Sequence, residues 1–194
     1  MSTVGFYGSR NLGGGYAGSI SAAVSRFAAA GRTIATGCAV GADAMVLNAA
    51  LRSAGPGRTV VFAAFAEDGT GSWARSNVAG VLLAAAGGAR VHWLAGGPLT
   101  YKLVARLVRR SRAMVDSLDA AGYDEHSGIV GWVTGPPPAS PGSWGTVKYA
   151  ISRRLRCVVF PTGWSASLLP KYGPGSWVQA GAGIWTQAYL WMPG

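Results

Sequence analysis

Residues 33–51, TIATGCAVGADAMVLNAAL, constrain this chain most. Thr33, Ile34 and Ala35 continue an apolar run, Gly37 and Gly41 bracket a turn, and Ala42 to Leu51 are apolar and helix-forming. Ser53 to Gly57 then stops the helix. In a strand, glycine turn and helix, the free N–H groups of the first helical turn and the helix dipole favour an anion. Asp43 stands inside this turn, one of only seven acids in the chain. A carboxylate there repels phosphate. Asp43 is therefore expected to cap the helix, to bond a ribose or base, or to hold a cation.

The same device recurs at residues 141–154, PGSWGTVKYAISRR. There Gly142 and Gly145 flank a turn, Thr146 is placed to cap, and residues 147–155 read as the helix. A third copy opens the chain: a strand over residues 3–8, the loop NLGGG, and a helix from about Ala17 to Ala30 carrying Ile20, Val24 and Phe27 at helical spacing. Three such units suggest one shared crevice, because ligands of open parallel sheets bind beyond the carboxyl ends of the strands.

The remaining segments keep the alternation. Residues 58–65 read as a strand buried on both faces, 73–86 as a helix and 89–94 as a strand. Residues 99–118 read as one basic helix and 119–127 as a polar loop. Strands are expected at 128–134 and 156–160. This order means an α/β fold with a mostly parallel sheet and helices on both faces. Residues 1–162 form the expected core. Residues 163–194 hold four of the eight tryptophans and much glycine, and they are expected to pack on that core as short strands or an ordered loop. The alternative is an exposed aromatic platform for bases.

With 194 residues, 49% hydrophobic and 12% charged, the chain can bury a core of one domain. No apolar run is long and clean enough to span a bilayer, and no charged segment followed by a hydrophobic one opens the sequence, so a cytoplasmic protein is expected. Cys38 and Cys157 are expected as buried free thiols, with a disulfide or metal pair as the alternative. His92 and His126 are the only histidines, and no Cys/His cluster calls for zinc. The net charge of +10 is concentrated in two groups, Lys102, Arg106, Arg109, Arg110 and Arg112, then Lys148, Arg153, Arg154 and Arg156. Both flank glycine turns, which favours a polyanionic partner.

In order along the chain, Gly8-Ser9-Arg10, Thr36-Gly37, Gly41-Ala42-Asp43, the strand from Arg58, Arg110-Ser111-Arg112 and Gly142-Ser143-Trp144-Gly145-Thr146 resemble the Rossmann-like core of the DNA-processing protein A (DprA) family. That family belongs to the SLOG superfamily, with the LOG-type nucleoside-monophosphate phosphoribohydrolases as relatives. The likeness covers about residues 3–162. It implies a pocket for a nucleotide or single-stranded DNA at the strand ends, and a role in DNA processing or recombination. Two departures matter. The helical domains that often flank DprA cores are not expected in a chain of this length. The LOG pattern Pro-Gly-Gly-x-Gly-Thr-x-x-Glu meets Ser143 at its second Gly and Tyr149 at its Glu. A phenol cannot replace a carboxylate as acid or ion-pair partner near neutral pH, so the hydrolase activity is expected to be absent.

The residues expected to bind phosphate or nucleotide are Gly8, Ser9, Arg10, Gly37, Gly41, Asp43, Arg110, Arg112, Gly142, Ser143, Gly145 and Thr146. The glycines admit a ligand to the backbone, the hydroxyls donate, and the arginines fork onto phosphate. Arg10 is expected either to pair with Asp43 or to await an anion. No cofactor, metal or membrane is called for. The partner is single-stranded nucleic acid or a nucleotide, and a homodimer stays open. The alternatives are a LOG-type N-glycosidic hydrolase with an altered acid, drawing on Asp43, Asp116, Asp124 or Glu125, and a sensor of a small nucleotide.

Overall fold

The computed structural model describes residues 2–94, 102–120 and 128–194. Strands and helices alternate as β1 (Thr3–Gly8), α1 (Ala17–Ala29), β2 (Thr33–Thr36), α2 (Ala42–Ser53), β3 (Thr59–Ala63), α3 (Val78–Ala86), β4 (Arg90–Trp93), α4 (Leu103–Ala120), β5 (Gly128–Val133), α5 (Pro141–Ser152) and β6 (Arg156–Pro161). Two further strands follow, β7 (Ser176–Gln179) and β8 (Tyr189–Met192). All lie in one sheet of order β4-β3-β2-β1-β5-β6-β8-β7. The first six strands of that order run parallel, β8 runs antiparallel to β6, and β7 antiparallel to β8. The fold is thus α/β and Rossmann-like, with a mostly parallel sheet.

Alternation along the strands assigns the helices to faces. Val4 and Phe6 of β1 pack with Ile20 and Val24 of α1 and Val46 of α2. Tyr7, on the opposite face, packs with Met114 and Leu118 of α4 and Val147 of α5. Parallel strands buried on both faces need apolar side chains throughout, and β3 and β5 are buried at every position. Trp132 of β5 is fully buried, stacked on Phe160 at 4.6 Å, and its indole N–H donates to Ser19 Oγ at 2.8 Å. The direction of winding reverses between β1 and β5: β2, β3 and β4 build outward on one side of β1, and β5 and β6 on the other. The carboxyl ends of β1 and β5 therefore form the switch point where open α/β sheets leave a crevice.

The C-terminal tryptophans pack rather than stand out as a platform. Trp191 is buried, edge-on to Trp177 at 5.3 Å and to Tyr172 at 5.9 Å. Trp185 meets Phe27 and Phe160, and the Trp164 indole donates to Val133 O. Cys38 and Cys157 are free, buried thiols in separate clusters. No helix among the described residues is long and apolar enough to cross a membrane.

Several expected boundaries are corrected. The helix expected over 73–86 begins only at Val78, because residues 66–77 form turns tied to the β2–α2 turn: Ala66 N donates to Thr70 O, Ser76 N to Trp73 O and Asn77 N to Cys38 O. The strand expected over 58–65 is Thr59–Ala63, preceded by a 3-10 turn, Pro56–Arg58. The basic helix starts at Leu103 and runs on through Asp119 and Ala120, so the expected polar loop is shorter. Residues 121–127 of that loop, with Asp124, Glu125 and His126, lie outside the described residues. The largest correction concerns α5, which begins at Pro141 and not at residue 147. PGSWGT is its first turns, with Pro at the first helical position, where its missing N–H costs nothing.

Candidate functional site

A cavity of about 620 Å³ opens at the switch point. The exit of β1 (Gly8 to Asn11), the exit of β5 (Thr134), α4 (Leu107, Val108, Arg110, Ser111, Arg112) and the first turns of α5 line it. Ten of the twelve expected residues stand in its wall. Gly37 and Gly41 do not.

Those two glycines belong to the turn between β2 and α2, and that turn is closed. Gly41 has φ 77°, and a Cβ on it would lie 2.6 Å from Ser9 O and 2.7 Å from Arg10 O. A Cβ on Gly37 would lie 1.8 Å from Arg110 Nη1 and 2.2 Å from Asp43 Oδ2. Protein packing thus requires both glycines. Three N–H groups here have partners within the protein. Ala39 N donates to Asp43 Oδ2 (3.2 Å), Val40 N to Arg75 O (3.0 Å) and Ala42 N to Ser9 O (3.3 Å).

Asp43 is 3% exposed and makes no side-chain cap on α2. The expected capping role is corrected: its carboxylate turns back to Ala39 N and to the Arg110 guanidinium, Nη1 to Oδ2 3.2 Å. Arg110 comes from the middle of α4, and its own side chain is 10% exposed. Burial raises the Asp43 pKa, opposed chiefly by Arg110. The pairing expected between Arg10 and Asp43 gives way to this one. Arg10 is exposed, lines the cavity, and forms no salt bridge to a carboxylate among the described residues. The Arg110 Nε is buried without a hydrogen-bond partner among the described residues.

The start of α5 is open. A Cβ on Gly142 or Gly145 would meet nothing within 4 Å. Pro141 has no N–H, and Ser143 N and Trp144 N both turn to Ser140 O. Gly142 N is left at the mouth of the helix, on the positive end of its dipole. Thr146 does not cap. Its hydroxyl donates to Gly142 O at 2.9 Å inside the helix. Ser140, in left-handed conformation at φ 52°, precedes the helix without a side-chain cap bond. Its hydroxyl instead meets Ser9 Oγ at 2.9 Å and Thr134 Oγ1 at 3.2 Å, while Thr134 N donates to Ser9 Oγ at 3.0 Å. Three hydroxyls from three separate segments thus tie the exits of β1 and β5 to the start of α5.

Among the described residues, five cations line the cavity, Arg10, Arg75, Arg110, Arg112 and Lys148, against the single carboxylate of Asp43. Arg75 donates to Asn11 Oδ1. Arg106 faces inward, tying Ala64 O and Gly71 O. Tyr149 also lines the cavity. Its hydroxyl donates to Asp116 Oδ1 at 2.7 Å, a bond that holds the phenol pKa up. Among the described residues no group of three or more His, Cys, Asp or Glu could hold a metal.

Sequence reasoning missed Asn11, Arg75, Thr134, Ser140, Lys148 and Ser152 in the wall. Ser140-Pro141 carried a usable signal, a capping residue type followed by Pro at the first helical position. Arg75 carried none, since it reaches the cavity only through the closed loop 66–77.

No protein-family model matches this chain, and no curated protein does. Two solved structures resemble it. DNA processing protein A (DprA) from Streptococcus pneumoniae superposes with a TM-score of 0.60 at 18% identity, over 87% of this chain and 53% of that one. DprA from Helicobacter pylori, described for its single-stranded DNA binding mode, superposes with a TM-score of 0.60 at 15% identity, over 83% of this chain and 66% of that one. The chain spans about half the length of the first and slightly under two thirds of the second. The fold is DprA-like.

Proposed function

We propose that this chain binds single-stranded DNA through its phosphates, at the crevice between the ends of β1 and β5, without hydrolysing a nucleotide. The observation that carries this is the open start of α5 in a cavity lined, among the described residues, by Arg10, Arg75, Arg112 and Lys148 and by one carboxylate, Asp43, that Arg110 already pairs. A site of this kind attracts phosphate by charge and admits it close to the backbone. The DprA-like fold adds a further reason, because the H. pylori protein of that fold binds single-stranded DNA.

The expectation of no hydrolysis is supported by the carboxylates in reach among the described residues. Tyr149, set against the LOG glutamate by the sequence resemblance, is a phenol that keeps its proton and donates a hydrogen bond to Asp116. Asp43 is paired and buried. Neither group is free to protonate or activate a glycosidic bond.

The test is fluorescence anisotropy of a labelled twelve-nucleotide oligo(dT) across a salt series, with a mononucleotide as competitor. Contact with about four phosphates predicts a log–log salt slope of about −3. The mononucleotide should compete only weakly. A salt-independent affinity, or no binding at low salt, contradicts the reading. Competition by the mononucleotide at equal concentration would assign the site to a small nucleotide instead.

A further inference from the structure

Gly142, Gly145, Tyr149 and Ser152 follow one another along one face of α5, at spacings of three, four and three residues, and all line the cavity. From Gly142 to Tyr149 the helix advances about 10 Å at its rise of 1.5 Å per residue. The face therefore leads from the open helix start to an aromatic ring within the reach of one nucleotide.

That ring is held in place. The Tyr149 hydroxyl donates to Asp116 Oδ1 at 2.7 Å, and Arg153 Nε lies 3.6 Å from the same oxygen. The Arg112 guanidinium carbon sits over the ring, 5.2 Å from its centroid, within cation–π range. Arg112 is exposed and forms no salt bridge to a carboxylate among the described residues. Two planar groups, one anchored by a hydrogen bond and the other resting on it, thus border a cavity whose other groups suit phosphate. Val104 and Val108 of α4, both exposed, add apolar surface to the same cavity. Phosphate alone has no use for either feature.

We propose that Arg112 and Tyr149 form a base-stacking step. The nucleobase adjoining the phosphate at the start of α5 stacks on the Arg112 guanidinium, backed by the Tyr149 ring. This rests on the phosphate reading above and adds the ligand's second half. The site takes oligonucleotides with little sequence preference, since every base has a π-face. Asp116 is a positioning residue that fixes the ring through the phenol.

The experiment compares two labelled probes of equal length, oligo(dT) and an abasic oligonucleotide with the same phosphates. The wild-type chain should bind oligo(dT) about tenfold or more tightly than the abasic probe, the scale of one stacked base. Tyr149→Ala should remove most of that preference while leaving affinity for the abasic probe within about twofold, and Arg112→Lys should lower the ratio of oligo(dT) to abasic affinity. Tyr149→Phe, which keeps the ring and loses the hydroxyl, should retain most of the preference. Unchanged melting temperatures would show that the variants fold. Equal wild-type affinity for the two probes overturns the stacking step alone. So does a Tyr149→Ala variant that weakens both probes equally. Binding of neither probe by the wild type overturns the phosphate reading, and the stacking step with it.

Discussion

The passage from β2 into α2 and the passage from β5 into α5 are written in the same residue types, and they do opposite things. Each leads from a buried parallel strand into a helix and carries two glycines, in the turn itself in the first and in the first turns of α5 in the second. In the first, the glycines at 37 and 41 make room for protein: Arg110 and Asp43 press on one, the exit of β1 on the other. In the second, a Cβ on Gly142 or Gly145 would meet nothing within 4 Å. The first turn holds a carboxylate and ties three of its N–H groups internally, while the second leads to an open helix start among cations. A glycine turn before a helix is therefore ambiguous until its surroundings are known. One copy is a joint that fixes the crevice, and the other opens into it as its proposed working surface.

The sharpest way to break this comparison is to damage the joint. Asp43→Ala leaves the Arg110 guanidinium buried without its partner, so folding stability should fall by about 3–5 kcal/mol. Denaturant unfolding measures this. A loss below about 1 kcal/mol would mean that the pair is solvated, and the first turn more open than described here.

A smaller effect is expected from the rim. Arg10 is exposed beside the cavity and carries no salt bridge among the described residues. Arg10→Ala should weaken oligo(dT) binding by about 1.5–3 kcal/mol, the range of a charged hydrogen bond, with little change in melting temperature. A variant that melts several degrees lower yet binds unchanged would move Arg10 to the structural side of the comparison.

Much of this was legible from the sequence. The alternation of strands and helices follows from apolar periodicity, and the switch-point residues Gly8, Ser9 and Arg10 from their place after the first strand. Long-range pairing was not legible. Asp43 and Arg110 are 67 residues apart, and neither residue type announces the other. The start of α5 was misplaced because two glycines and a proline read as a turn, although Pro at the first helical position is a start signal. The hydroxyl tie of Ser9, Thr134 and Ser140 depends on three segments meeting in space. Local patterns set the elements; which glycine turn faces the ligand is a tertiary fact.

The central claim, that the anion sits at the open start of α5, is tested most directly by Gly142→Val. A Cβ at this position would meet nothing within 4 Å, so folding stability should stay within about 1 kcal/mol of the wild type. It would also cover the approach to the backbone at the mouth of the helix. The account predicts that oligo(dT) affinity, measured by anisotropy at low salt, drops at least tenfold while the fold persists. An affinity unchanged from wild type in a folded Gly142→Val protein would contradict it.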